Sequence, residues 1–287
     1  SLKRAIESIL QAKMPQGDRL RLIIVDNNSS DDTKEVVLSF QSRGQIEYLF
    51  EAQQGKSYAL NAGLSQASGD VLVFTDDDVI VDENWLLEII RAVRLYPQYC
   101  CFGCNWLDIS GRMSFLRTAL IDFTGRNDDA VFEDGHVPGG GSMFFRRSAV
   151  EENGAFRTDL GPKGRRLGFS EDVEYCQRLL SRGKKFMYVS RAIIYHPVHE
   201  ERLQKAYLSR WQFHCGRSEV RRNKGACEVR KLFGIPRYLF RAILQHFLGW
   251  CISYNARDRF YHRLRLFYKA GEFCQYLLLR LPFARDS

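Results

Sequence analysis

Three consecutive aspartates, Asp76-Asp77-Asp78, close the apolar run Val71-Leu72-Val73-Phe74-Thr75, which reads as a buried strand. Like charges gathered at the end of such a strand repel one another and lose hydration, so the arrangement is costly unless something positive sits there. A divalent cation answers the problem, because hard ions such as Mg²⁺ or Mn²⁺ take carboxylate oxygens. A metal held at a strand end suggests phosphate chemistry, since its free coordination positions can bind a diphosphate.

The flanking sequence supplies the layout. Leu2, Ala5, Ile6, Ile9 and Leu10 have helical spacing. Leu20 to Val25 is a strand-like run that empties into the polar turn Asp26 to Thr33, and a helical stretch follows from Lys34 to Arg43. Ile46 to Phe50 predicts another short strand, and Ser57 to Ala67 another helix. Strands alternating with helices predict an α/β domain, Rossmann-like, with a mostly parallel sheet covered by helices. In such sheets ligands bind beyond the carboxyl ends of strands, and the clusters at Asp26 and Asp76 both lie at that edge.

Charge divides the chain. Residues 1–200 carry 24 Lys and Arg against 28 Asp and Glu, whereas residues 201–287 carry 18 against 6. The first part reads as a body with an acidic site, and the tail as something that meets an anionic surface. Of the eight cysteines, Cys100, Cys101 and Cys104 lack a second pair at zinc-site spacing, so the thiols are expected to be reduced. With no signal peptide visible and no apolar run near the ~20 residues that span a bilayer, the expected location is the cytoplasm.

Five motifs occur in order: Val25 to Thr33; Gly55-Lys56 with Asn61-Ala62-Gly63; Phe74 to Val79; Pro138-Gly139-Gly140-Gly141-Ser142 through Arg147; and Ser170-Glu171-Asp172-Val173-Glu174. Each is weak alone. Together, over residues 1 to 220, they resemble the family 2 glycosyltransferases of GT-A fold. The resemblance implies a catalytic domain at 1–220 and a basic, aromatic helical extension at 221–287. The chain opens on a helix where the family has a strand, so an N-terminal truncation is expected.

The resemblance implies a set of roles. Asp26 and Asn28 would contact the nucleotide; by residue type alone Asp26 is equally a turn aspartate capping the next helix. Asp31 and Asp32 read as capping and helix-dipole residues. Asp76 and Asp78 match the family's D-x-D and would hold Mn²⁺ or Mg²⁺. They face one side if the strand continues, which leaves Asp77 for the ribose. Lys56 would add positive charge near the nucleotide. Gly139, Gly140, Gly141 and Ser142 would line the donor-sugar and acceptor pocket, since glycines let backbone approach a ligand. Asp172 would be the general base of an inverting transfer and Glu171 would orient the site, although carboxylates also suit a first helical turn. His196 would complete the metal shell, with His199 nearby. Arg210, Trp211 and Arg217 would cover the diphosphate, because arginine's fork suits phosphate.

These roles imply a nucleotide-sugar donor and a glycan or lipid-linked acceptor. The tail interleaves aromatics with arginines, as in Arg237-Tyr238-Leu239-Phe240-Arg241. That composition suits an amphipathic helix on an anionic membrane surface, at the inner face, or helix packed on the body or a partner. Nucleic acid also suits such a mixture, but the sugar-transfer motifs set it aside. The rival readings are a nucleotidyltransferase and a catalytically inactive nucleotide-sugar-binding, membrane-associated protein.

Overall fold

A computed structural model describes residues 1–108, 126–133, 135–164, 166–196, 200–226 and 229–280. The chain divides into two compact units, Ser1–Thr158 with Glu171–Val198, and Asp159–Ser170 with His199–Ser287.

In the first unit, α1 (Leu2–Gln11) leads to β1 (Leu22–Asp26), α2 (Thr33–Phe40), β2 (Ile46–Phe50), α3 (Lys56–Gln66), β3 (Val71–Phe74), β4 (Ile80–Val81) and α4 (Trp85–Leu95). The run continues through β5 (Cys101–Asp108), β6 (Ala130–Val131), β7 (Met143–Arg146), α5 (Arg147–Asn153), α6 (Glu171–Ser181) and β8 (Phe186–His196). The α/β class and alternating elements agree with the sequence. β1 and β2 pair in parallel as a separate two-stranded sheet. The larger sheet has the order β3-β7-β5-β8-β4, with β6 on β8. Its longest strands, β5 and β8, pair in parallel, and β3 runs in the same direction. β7 is inserted antiparallel between β3 and β5, so it delivers the glycine turn before it to the carboxyl end of β3.

Strand alternation covers both faces. Phe102 and Phe144 stack at 4.8 Å and pack under Trp85, Leu86 and Ile89 of α4. Cys101, Met143, Phe145 and Phe186 point the other way, against Ala149, Val150, Tyr175 and Leu179 of α5 and α6. A bulge at Cys104/Asn105, where the Asn105 amide donates to Ser190 O at 2.9 Å, shifts the β5–β8 register.

The second unit contains α7 (Lys205–Arg222), a short β9–β10 hairpin (Lys231–Leu232, Ile235–Pro236), α8 (Arg237–Ile252) and α9 (Ala256–Leu278). The 220/221 boundary implied by the resemblance falls inside α7. Gly216 and Gly271 lie against the carbonyls of Tyr268 and Phe213, so α7 and α9 cross at a distance that leaves no room for a Cβ at either position. The seven described cysteines, which exclude Cys227, are free thiols. Among the described residues no helix is long and apolar enough to cross a membrane.

Candidate active site

The site lies at the carboxyl edge of β1 and β3. Asp26 is 5% exposed at the end of β1. One carboxylate oxygen accepts from the Ser29 amide at 2.9 Å and the other from the Tyr48 hydroxyl at 2.7 Å. Burial alone would raise its pKa, but these hydrogen bonds outweigh burial and hold it below the usual range. Tyr48 is pushed up to about 12, chiefly by the same bond. Asn28 sits at φ 59° and reaches Ala52 O at 3.4 Å. Asn27 was not singled out from the sequence, yet it fastens the loop: its oxygen accepts from Gly55 N at 2.6 Å and its amide donates to Gln53 O at 2.7 Å. Asp31 Oδ1 accepts from the amide and hydroxyl of Thr33 ahead of α2, whereas Asp32, the N-cap residue, makes no side-chain cap bond.

Asp76 and Asp78 do not alternate along a strand, because β3 ends at Phe74 and residues 77–78 form a turn. The three carboxylates are separated by their partners. Asp76 accepts from Lys56 Nζ at 2.7 Å, and Asp78 Oδ1 lies 3.3 Å from His196 Nε2. Asp77 is exposed; desolvation raises its pKa, then Asp78 and Asp76, and water screening limits the effect at such a carboxylate. Lys56 also lies 3.8 Å from Glu171 Oε1. Burial works against its ammonium, but Asp76 and Glu171 outweigh burial and its pKa rises.

Glu171 and Asp172 open α6, just after Ser170, which stands at φ 74°. Glu171 is 4% exposed, and its carboxyl is pushed up to about 7 by burial and then by Asp172, with Lys56 opposing. The two ends of the Lys56–Glu171 contact are unequal: the lysine gains from the glutamate, whereas at 3.8 Å it does not offset Glu171's burial. Asp172 Oδ2 accepts from the Gly140 amide at 2.6 Å, across 32 residues.

The glycine loop is shaped by these carboxylates. Gly139 precedes a 3₁₀ turn, Gly140–Ser142, that enters β7. A Cβ at Gly140 would stand 2.9 Å from Asp172 Oδ2, and one at Gly141 2.6 Å from Asp76 Oδ2. With Asp172 as the base proposed below, Gly140→Ala should lower activity about tenfold to hundredfold, since displacing a reacting group by about 1 Å costs on the order of 10². Steady-state kinetics of the variant check this; an unaltered kcat contradicts the close fit.

Glu171 carries a pH dependence. Its folded pKa, about 7, lies above the ordinary 4.5, so the stability tied to its neutral form is complete below about pH 4.5. That stability fades as pH rises and is lost through pH 7. Glu171→Gln should then raise stability above pH 7, by about 1–3 kcal/mol, and flatten this window. Thermal melts of both forms across pH read the difference; parallel curves contradict it.

His196 lies beside Trp106 at 5.5 Å, and its Nδ1 is buried without a partner. Two ligand atoms at right angles on a Mg²⁺-sized ion, each about 2.1 Å from it, stand about 3 Å apart. The Asp78–His196 separation fits that requirement, and carboxylate with imidazole suits Mn²⁺. Among the described residues no three His, Cys, Asp or Glu side chains converge as a ready-made cage, since Asp76 is taken up by Lys56. His199 lies outside the described residues.

The proposed diphosphate residues belong to the second unit. Arg210 is exposed and lies over the Tyr207 ring, Trp211 packs edge-on to Phe169 at 5.5 Å, and Arg217 donates to Gln275 Oε1 at 3.1 Å.

Residues 1–154 match the family described as Glycosyl transferase family 2. The chain belongs to that family and is a glycosyltransferase. It is 24% identical over 231 residues to Glycosyltransferase AglE of Haloferax volcanii, covering 77% of this chain and 69% of the relative. It is also 24% identical to the succinoglycan biosynthesis protein ExoM of Rhizobium meliloti, covering 77% and 70%. Among solved structures it resembles the mannosyltransferase PcManGT of Pyrobaculum calidifontis in complex with GDP-Man and Mn²⁺. That match has a TM-score of 0.63 at 16% identity and covers 96% of this chain and 82% of the other. The shared architecture is the GT-A fold.

Proposed function

We propose that this glycosyltransferase moves a sugar from a nucleotide-diphosphate sugar to a hydroxyl of a glycan or lipid-linked acceptor, with inversion and with Asp172 as general base. The observation that carries the reading is Lys56, which lies 2.7 Å from Asp76 and 3.8 Å from Glu171, the neighbour of Asp172. The aspartate cluster and the candidate base thus belong to one charge network. Mn²⁺ in the complex of the structural relative supports use of a divalent ion. Family membership favours this reading over the nucleotidyltransferase alternative.

In this mechanism the ordered Asp26 carboxylate accepts from the N–H groups of the base, with Asn28 and Asp77 toward the nucleotide. Asp76, Asp78 and His196 would hold the ion. When bound, it would neutralise charge on the leaving diphosphate. Arg210, the exposed guanidinium of its trio, has the chemistry for a phosphate. The acceptor hydroxyl gives its proton to Asp172 as its oxygen attacks the anomeric carbon, and the bond to the diphosphate breaks. The Gly140 amide, at 2.6 Å, holds Asp172 in place. Incubating the full chain with a panel of nucleotide sugars and Mn²⁺ tests the reading through donor hydrolysis and transfer. Turnover of one donor, with an inverted anomeric product, is expected; no turnover of any donor would favour the inactive binding protein.

A further inference from the structure

The helix α8 presents an apolar stripe to solvent. Leu244 is 58% exposed, Leu248 49% and Ile252 70%, and Phe240 and Phe247 are exposed with them. At 100° per residue these five fall within an arc of about 140°, and Tyr254, fully exposed, follows the helix end. The other side is committed inward: Leu239 is buried, Gly249 abuts the His262 ring, and His246 Nδ1 meets His262 Nδ1 at 3.1 Å. The stripe is therefore fixed outward by packing on α9. A contiguous exposed apolar band of this kind marks an interaction surface.

The charges around it select the occupant. From Lys231 to Arg257 the chain has four cations, Lys231, Arg237, Arg241 and Arg257, and no acidic residue. Arg237 and Arg241 project within the arc of the stripe itself. A second copy set against this face by a two-fold axis would bring those arginines toward their own counterparts. An acidic, partly apolar surface suits both features, and an anionic bilayer is such a surface. We propose that the outward stripe of α8 docks the chain peripherally on an anionic lipid surface, its apolar side chains at the acyl boundary and its cations against headgroup phosphates. The helix lies on the bilayer, since among the described residues none is long and apolar enough to cross it. Docking is independent of the sugar donor; that it brings lipid-linked acceptors within reach rests on the proposed function.

The test is co-sedimentation of the full chain with phosphatidylcholine vesicles, with and without phosphatidylglycerol, with no donor present. Binding is expected only to the anionic vesicles, falling as salt rises. Neutralising one arginine, in Arg237→Gln or Arg241→Gln, should weaken it about fivefold. Leu244→Glu with Leu248→Glu should abolish it, with unchanged circular dichroism, since both leucines are exposed. No sedimentation, equal binding to neutral vesicles, or full binding by the leucine variant would each overturn the proposal. So would a wild-type dimer, seen by size exclusion, that the leucine variant dissolves.

Discussion

Asp172→Asn should lower kcat by about 10²–10⁴ while leaving donor affinity unchanged, the loss expected when a positioned base is removed. The substitution is nearly isosteric, and an asparagine oxygen can still accept from the Gly140 amide that now meets Asp172 Oδ2 at 2.6 Å. The glycine turn then stays in place, and what disappears is the basic oxygen. Glu171→Gln is the internal control, because Glu171 is buried beside Lys56. Single-turnover kinetics with calorimetry of donor binding separate the two effects. Normal turnover in Asp172→Asn would remove the base assignment, and lost donor binding would show that the residue acts in binding.

Asp78→Ala should reduce kcat/KM by at least about 10²-fold and abolish its dependence on Mn²⁺, because several kcal/mol of charge stabilisation depend on the ion. Asp78 and His196 are already 3.3 Å apart, so in the proposed site the carboxylate would supply one of two preset positions. Asp76 differs, since it must first leave Lys56 at 2.7 Å. Asp76→Ala also frees a half-buried lysine and mixes a structural effect with the loss of a proposed ligand, which makes Asp78 the cleaner probe. Manganese titration of activity reads the outcome; an unchanged titration curve in Asp78→Ala would exclude it as a ligand.

Local signals explain what was legible in the sequence. The strands at 22–26, 46–50 and 71–74 stand where apolar runs meet polar turns, and α1 follows apolar periodicity. The edge position of Asp26 and Asp76 follows from that alternation. The antiparallel β7 was not legible, because its partners β3 and β5 are distant in sequence and pairing direction leaves no local mark. The alternation of Asp76 and Asp78 depended on the strand continuing past Thr75: an apolar run shows where a strand starts, while its end at Phe74 depends on where β7 stops pairing. Tyr48 on Asp26, Lys56 on Asp76 and Gly140 on Asp172 join residues 20 to 32 apart. Spacing alone cannot pair them. In the tail, aromatics mixed with arginines marked the helices, but which side of α8 faces outward is decided by His262 and Leu239.

In the proposed function the carboxylates at the end of β3 bind a nucleotide diphosphate through a divalent ion. Titration calorimetry of UDP and of GDP into the full chain, in Mn²⁺ and in EDTA, tests it most directly. Affinity for one nucleotide should fall at least about tenfold without the metal, a difference of about 1.4 kcal/mol. Equal affinity in the two conditions would contradict the claim.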